Sequence, residues 1–160
     1  MEARLEFQVG EALKARGWTI SAAESCTGGL VMHRLTDIPG SSAYVIGGVV
    51  SYANAVKRDL LKVKQETLDT QGAVSAETAQ QMVIGALNLF GTDAAVAITG
   101  IAGPGGGTPA KPVGLTYIAA ALKGAPPVVE RHVWSGDREA VKAASAEAAL
   151  RLILSLLQTA

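Results

Sequence analysis

The stretch AAVAITGIAGPGGG, residues 94–107, runs from an unbroken apolar segment into a loop rich in glycine. An apolar run without polar alternation is typical of a strand that is buried on both faces of a sheet. The segment before it, AETAQQMVIGALNLF at 76–90, has helical periodicity and follows Ser75, a residue that favours the N-cap position. A helix that leads into a buried strand is typical of α/β proteins, so this stretch sets the fold class.

The segments on either side extend the same pattern. Further helices are predicted over 5–16, about 27–36, 55–63 and 137–157. Further strands are predicted over 18–24, 43–52, 115–122 and 127–134. The last two strands are close enough in sequence to form a hairpin, whereas the others need helical crossovers. We therefore expect residues 1–160 to form one domain, an α/β sandwich with a mixed β-sheet flanked by helices.

Composition narrows the class of function. The chain has 160 residues, 49% of them hydrophobic, and a formal net charge of zero. No run of lysine or arginine exceeds two residues, which argues against a nucleic-acid partner. No apolar run is long enough to span a bilayer, and the charged N-terminal segment is unlike a signal peptide. We expect a cytoplasmic protein without a membrane partner, whose anionic ligands are small and bound locally.

Metal and disulfide chemistry find little support in the sequence. Cys26 is the single cysteine, so the chain has neither an intramolecular disulfide nor a multi-cysteine metal site. His33 and His132 have no histidine, cysteine or carboxylate partner at metal-ligand spacing. We expect no metal site and no cofactor.

The stretch AAESCTGGL, residues 22–30, is the first candidate for chemistry. It follows an apolar segment, and the backbone N–H groups of Thr27, Gly28 and Gly29 would start the next helix, where they could bind an anion. The alternative is that Ser25 or Thr27 is only an N-cap and the glycines only permit close packing. Cys26 is either a nucleophile activated at that helix start or a small buried apolar residue.

The second candidate is SSAYVIGGVVSYANAVK, residues 41–57. With Asn54 as the N-cap, Lys57 lies in the first turn of a helix, where the helix dipole and partial burial both disfavour its charged form. A neutral lysine can accept a serine proton during attack on an acyl carbon. The alternative makes Ser42 a turn residue, Tyr52 the edge of the core and Lys57 a solvated surface lysine.

Two further segments could bind a ligand. The loop from Thr99 to Thr108 contains Gly105 and Gly106, whose N–H groups could line a nest for a phosphate or an oxyanion, although the loop matches neither the Walker nor the Rossmann pattern. Arg138 lies in the first turn of the last helix, where a phosphate ligand would explain a cation that the helix dipole disfavours. A plain flexible loop and a surface ion pair are the respective alternatives.

The order of six motifs resembles the CinA C-terminal domain family. The motifs are AESCTGG, GSSAY, GGVVSYANAVK, GAVSAET, ITGIAGPGGGTPAKPVG and SGDRE. The resemblance runs from about residue 5 to the end of the chain and is to the stand-alone form of the domain. It implies a nicotinamide-nucleotide amidase, which hydrolyses nicotinamide mononucleotide to nicotinic acid mononucleotide and ammonia in pyridine-nucleotide recycling.

The resemblance also implies roles for individual residues. It makes Ser42 the nucleophile, Lys57 the base and Tyr52 a hydrogen-bonding relay between them. Ser25, Thr99 and Arg138 match positions that the family uses to bind and orient the substrate. A neutral Lys57 would take the Ser42 proton and pass it to the departing ammonia.

Other functions remain open from the sequence. A non-catalytic module that binds a phosphorylated nucleotide would keep Arg138 and the glycine loops but would not need Ser42 and Lys57. An amidase that uses Cys26 would be sensitive to thiol reagents. The last helix is apolar on almost every side around LRLILSLL, residues 150–157, so we expect a homo-oligomer in which another subunit helps to cover it.

Overall fold

Five strands form one mixed sheet in the computed structural model, which describes residues 3–160. The strands are β1 (Ile20–Glu24), β2 (Val45–Val50), β3 (Ala94–Gly100), β4 (Leu115–Leu122) and β5 (Val128–Val133). Their order across the sheet is β2-β1-β3-β4-β5. β1 is parallel to both β2 and β3, while β4 is antiparallel to β3 and to β5. The predicted mixed sheet, including its hairpin, is confirmed.

Six helices flank this sheet within residues 3–160. They are α1 (Leu5–Arg16), α2 (Leu30–Thr36), α3 (Asn54–Asp59), α4 (Gln65–Thr70), α5 (Ala76–Phe90) and α6 (Arg138–Thr159). The helices α1, α2 and α6 pack on one face of the sheet, and α5 packs on the other. The predicted α/β sandwich is therefore confirmed as three layers.

The alternation of side chains along β3 explains why both faces of the sheet are covered. Val96 and Ile98 belong to the core beneath α1, α2 and α6, whereas Ala95 and Ala97 belong to the core beneath α5. Every residue from Ala94 to Thr99 is buried. Because successive side chains of a strand point to opposite faces, a strand with two apolar cores needs an unbroken apolar sequence.

Several predicted helix boundaries are confirmed and others are corrected: the helix predicted over 55–63 ends at Asp59, and α4 was not predicted. Gly17 ends α1 in the left-handed conformation, and the Ser75 side chain accepts a hydrogen bond from the N–H of Thr78 at the start of α5. The N-cap of α3 is Ala53 rather than Asn54, which leaves the Asn54 side chain free of the capping role. The helix after β1 begins at Leu30 rather than near Thr27, for a reason that involves Glu24 and is given below.

The two glycines of β2 permit close packing on both faces of the strand. A methyl group at Gly47 would lie 3.0 Å from Phe90 of α5, and one at Gly48 would lie 2.9 Å from Met32 of α2. A side chain at either position would force these neighbouring groups to move. The glycines therefore allow α2 and α5 to lie directly against the edge of the sheet.

The C-terminal helix is covered within its own chain. Its apolar residues Leu150, Leu152, Ile153, Leu154 and Leu157 are all buried. They pack against the sheet and against α1 and α2. Cover from another subunit, which the sequence led us to expect, is therefore not needed for these residues, because α6 lies between the sheet and α1. The homo-oligomer stays a prediction without that support.

The parallel strands bring the sequence motifs together at the carboxyl ends of β1, β2 and β3. Because β1, β2 and β3 run in the same direction, the residues that follow them lie together at the carboxyl ends of the strands. The chain leaves β1 for β2 on one side and β3 lies on the other side, an arrangement that places ligand sites at this edge in open α/β sheets. None of the helices in the described residues combines the length and apolarity needed to cross a membrane.

Candidate active site

A cleft of about 210 Å³ opens at the carboxyl ends of β1, β2 and β3. It is lined by Ser25, Cys26, Tyr52, Asn54, Lys57, Ala73, Val74, Thr99, Gly100, Ala102 and Arg138. Five residues predicted to act in catalysis or in substrate binding are in this set. Four other grooves on the surface are larger, from about 340 to about 570 Å³, but none of them contains any of these predicted residues.

Lys57 and Ser25 are in direct contact at the base of this cleft. The Lys57 Nζ atom lies 2.8 Å from the Ser25 Oγ atom. Its other neighbours are the carbonyl oxygens of Ser51, at 2.6 Å, and of Tyr52, at 3.3 Å. A carbonyl oxygen can only accept a hydrogen bond, whereas a serine hydroxyl can also donate one. Two acceptors and one hydroxyl are the neighbours that suit a neutral amine, which has two N–H groups and one lone pair.

The surroundings of Lys57 favour this neutral form. Only 1% of the Lys57 surface is exposed, and no carboxylate within residues 3–160 lies within ion-pair distance of its ammonium group. Burial lowers the pKa of Lys57 from 10.5 to about 8. A lysine with this pKa is neutral in part of the population at physiological pH and can act as a base.

Glu24 organises the loop that carries Ser25. Its buried carboxylate accepts hydrogen bonds from the Thr27 hydroxyl and from the N–H groups of Gly29, Val31 and Met32. These N–H groups would otherwise be unpaired at the start of α2. The buried Glu24 side chain therefore caps α2, and the helix begins at Leu30.

This arrangement corrects the prediction that Gly28 and Gly29 bind an anion through their N–H groups. The Gly28 N–H donates to the carbonyl of Ser25, and the Gly29 N–H donates to Glu24. Thr27 is buried, and its hydroxyl also donates a hydrogen bond to Glu24. Thr27, Gly28 and Gly29 shape the loop and are not among the residues that line the cleft.

Cys26 lines the cleft but is poorly suited to attack a substrate. Burial raises the pKa of its thiol to about 11, and the charge of Lys57 only partly opposes this effect. The thiolate is the reactive form of cysteine, so a thiol with this pKa is unreactive near neutral pH. The N–H groups of Cys26 and Thr27, in contrast, have no acceptor within residues 3–160.

Arg138 joins three segments at the mouth of the cleft. Its guanidinium group donates to the carbonyl of Gly103, at 2.8 Å, and to the phenol oxygen of Tyr52, at 3.1 Å. The Tyr52 ring is 64% exposed, and its phenol contacts Arg138 rather than Lys57. Both acceptors of Arg138 are neutral, so its positive charge remains available to an anionic ligand.

The structure separates Ser42 from Lys57, which contradicts their predicted pairing. Ser42 lies in a short 3-10 turn, Ser41–Ala43, before β2, whereas Lys57 contacts the backbone of Ser51 after β2. The six residues of β2 span about 20 Å at 3.3 Å per residue. Ser42 is exposed and does not line the cleft, so Tyr52 cannot relay a proton from it to Lys57.

Two other predicted ligand positions have different surroundings. Thr99 is buried in the wall of the cleft, where its hydroxyl donates to the carbonyl of Ala73 at 2.7 Å and fixes the neighbouring segment. Gly105 and Gly106 are exposed in the loop after β3 and lie outside the cleft. Their N–H groups have no acceptor within residues 3–160, so their binding of an anion stays a prediction.

Sequence reasoning missed three features of the site. It treated Asn54 as a helix cap, whereas Asn54 is one of the residues that line the cleft. It assigned no role to the Ser51 carbonyl or to Glu24, because backbone contacts and buried carboxylates have no distinct sequence signature. The one available signal was the 32-residue spacing of Ser25 and Lys57 across β1 and β2, which becomes meaningful only when the two strands are known to be parallel neighbours.

Comparisons with known proteins agree with this fold. The model of the CinA C-terminal domain matches residues 2–157. The crystal structure of the competence/damage inducible protein CihA from Agrobacterium tumefaciens superposes with a TM-score of 0.93 at 43% identity, covering 95% of this chain and 93% of that one.

Two relatives of known sequence differ in length. A CinA-like protein of Chloroherpeton thalassium is 50% identical over 156 residues, which are 96% of this chain but only 37% of that protein. The nicotinamide-nucleotide amidohydrolase PncC of Enterobacter agglomerans is 45% identical over 150 residues, which cover 94% of this chain and 92% of that protein. The chain thus spans little more than a third of the longer relative and nearly all of the shorter one, and it belongs to the CinA C-terminal domain family.

Proposed function

We propose that this protein hydrolyses the carboxamide of nicotinamide mononucleotide, releasing ammonia and nicotinic acid mononucleotide, with Ser25 as the nucleophile and Lys57 as the base. The observation that carries the proposal is the 2.8 Å contact between Ser25 Oγ and a buried Lys57 whose other neighbours are carbonyl oxygens. The relative from Enterobacter agglomerans, named for this activity and similar over nearly its full length, supports the choice of substrate.

The first step of the proposed reaction is attack on the carboxamide carbon. The Ser51 and Tyr52 carbonyls hold the two N–H groups of neutral Lys57, so that its lone pair faces the Ser25 hydroxyl. Lys57 takes the Ser25 proton as the Ser25 oxygen bonds to the carbon. The resulting ammonium then gives a proton to the departing nitrogen, which leaves as ammonia, and an ester remains on Ser25.

The second step removes the ester. Lys57, neutral again, takes a proton from a water molecule as its oxygen attacks the same carbon. The bond to Ser25 breaks, the proton returns to the Ser25 oxygen, and nicotinic acid mononucleotide is released. No group outside the cleft is needed for this proton balance.

The negative oxygen that forms in both steps needs hydrogen-bond donors. The N–H groups of Cys26 and Thr27 directly follow the nucleophile in the chain and have no acceptor within residues 3–160. A backbone N–H just after the nucleophile is a common member of an oxyanion hole. Each such donor contributes about 3 kcal/mol to stabilisation of the transition state.

Charge and polarity around the cleft suit the rest of the substrate. The Arg138 guanidinium has only neutral partners and can bind a phosphate. Asn54 is one of the residues that line the cleft, and its side chain carries both a donor and an acceptor, the pair needed to orient a carboxamide.

Ammonia release from nicotinamide mononucleotide tests the proposal directly. We expect turnover by the wild-type protein and its loss in Ser25→Ala and in Lys57→Met. Binding of the nucleotide without ammonia release by the wild-type protein would instead favour a non-catalytic nucleotide-binding module.

A further inference from the structure

Lys142 is a cation beside the active-site loop that the proposed mechanism does not use. It lies one turn beyond Arg138 on α6, so the two side chains leave the helix on the same face, with about 6 Å of rise between them. A methyl group at Gly28 would lie 3.7 Å from the Lys142 Nζ atom. The ammonium group therefore lies close to the loop that begins with Ser25.

No negative charge within residues 3–160 is paired with this ammonium group. Within residues 3–160, no carboxylate lies within 4.0 Å of Lys142 Nζ, and no hydrogen-bond acceptor contacts it. Two acidic residues of α6 are committed elsewhere: Asp137 caps the N–H of Ala140, and Glu147 pairs with Arg34 and Arg151. The third, Glu139, forms no ion pair within the described residues.

Positive side chains around the cleft likewise have no negatively charged partner within residues 3–160. Lys57 and Arg138 have only uncharged partners, while the one buried carboxylate nearby, Glu24, is occupied by the donors of its own loop. The charges of Lys57 and Lys142 both act to lower the pKa of the Cys26 thiol, although burial outweighs them. Lys142 is thus close enough to influence a group that lines the cleft.

We propose that Lys142 binds the phosphate of the substrate together with Arg138, and that Lys142 determines the preference for a nucleotide over the corresponding nucleoside. This assignment rests on the proposed function and identifies which end of the substrate α6 recognises. A phosphate monoester carries between one and two negative charges near neutral pH, which two cations spaced by one helical turn can share. A nucleoside offers no group that needs the second cation.

Equilibrium binding separates this role from catalysis. In a Ser25→Ala background, which prevents turnover, we would titrate nicotinamide mononucleotide and nicotinamide riboside with and without Lys142→Ala. We expect Lys142→Ala to weaken binding of the nucleotide about tenfold and to leave binding of the riboside unchanged. Lys142→Arg keeps the positive charge and is expected to retain most of the affinity for the nucleotide.

Lys123→Ala is the matched control, since it removes one lysine charge from the turn after β4, at the opposite end of β3 from the cleft. We expect no effect on either ligand. An equal loss of affinity for both ligands in Lys142→Ala, or no loss for the nucleotide, would overturn the role of Lys142.

The amidase proposal is tested separately by ammonia release from the wild-type protein. Selective loss of nucleotide binding in Lys142→Ala, with no ammonia released by the wild type, would refute the amidase and keep the phosphate site. Turnover by the wild type with unchanged nucleotide affinity in Lys142→Ala would refute the phosphate site and keep the amidase. Absence of nucleotide binding at millimolar concentrations would refute both.

Discussion

Lys57 reaches Ser25 from the neighbouring strand connection, and its Nζ atom lies 2.8 Å from the Ser25 Oγ atom at the carboxyl edge of the parallel strands. The contact depends on three parts of the fold. Ser25 directly follows β1, β2 brings the chain back alongside β1, and α3 positions Lys57 so that its Nζ atom contacts the Ser51 carbonyl. A serine and a lysine that are far apart in sequence thus come within hydrogen-bond distance of each other.

Substitution of the two serines discriminates between the contact in the structure and the pairing implied by the sequence. We expect Ser25→Ala to lower kcat for ammonia release at least about a thousandfold, because it removes the nucleophile. Ser42→Ala should change kcat by less than about twofold, since Ser42 is exposed before β2. Initial rates with nicotinamide mononucleotide measure both. Loss of activity in Ser42→Ala alone would contradict the Ser25 assignment.

The pH dependence of activity should report the protonation of Lys57. Since burial lowers the pKa of Lys57 to about 8 and the neutral amine is the base, kcat/KM should rise with pH and level off above about pH 8. Lys57→Arg should be inactive across this range, because an arginine stays protonated. A profile that is flat between pH 6 and pH 9 would show that another group is the base.

The same buried lysine should make stability depend on pH. The pKa of Lys57 is about 8 in the folded protein and 10.5 for an unperturbed lysine, so the unfolded chain binds more protons between these values. The free energy of unfolding should therefore increase as pH rises from 8 to 10.5, and Lys57 should cause no such increase below pH 8. Denaturant unfolding of wild type and of Lys57→Met isolates the contribution of Lys57. The difference between their free energies of unfolding should change with pH only between pH 8 and pH 10.5. A constant difference would contradict the burial of a charged lysine.

The sequence was sufficient for much of the fold because its local signals agree with the final packing. The apolar run of β3, the Ser75 cap and the Gly17 stop all correspond to observed features. It was insufficient for the boundary of α2, because the group that satisfies the first N–H donors of that helix is the buried carboxylate of Glu24, which the sequence does not distinguish from a surface glutamate.

The active site was harder to predict than the fold, because it depends on which strands are neighbours. The segments around Ser25, Lys57, Thr99 and Arg138 were all recognised as candidates, and the structure brings them into one cleft. The family resemblance pointed to Ser42 as the partner of Lys57, but the structure places the whole of β2 between these two residues and brings Ser25 to Lys57 instead.

Glu24 provides a test of how the Ser25 loop is held. Glu24→Ala leaves four donors of the loop and of α2 without their acceptor, so we expect a loss of about 2–4 kcal/mol in the free energy of unfolding, together with a fall in kcat. Glu24→Gln retains one carbonyl oxygen and should lose less stability. Denaturant unfolding and initial rates measure the two effects. Full activity in a folded Glu24→Ala protein would show that the loop holds Ser25 in place without this carboxylate.

Tyr52 distinguishes a relay in catalysis from a contact at the mouth of the cleft. Its phenol oxygen lies 3.1 Å from Arg138 Nη2, while Lys57 contacts only its backbone carbonyl, which every residue at this position would supply. Tyr52→Phe should therefore leave kcat within about threefold and raise KM for the nucleotide, because Arg138 loses one of its two positioning contacts. Steady-state kinetics with Tyr52→Phe and Arg138→Lys would give the comparison, and we expect both to act mainly on KM. If the phenol were the relay implied by the family resemblance, removing it would lower kcat by orders of magnitude and leave KM nearly unchanged.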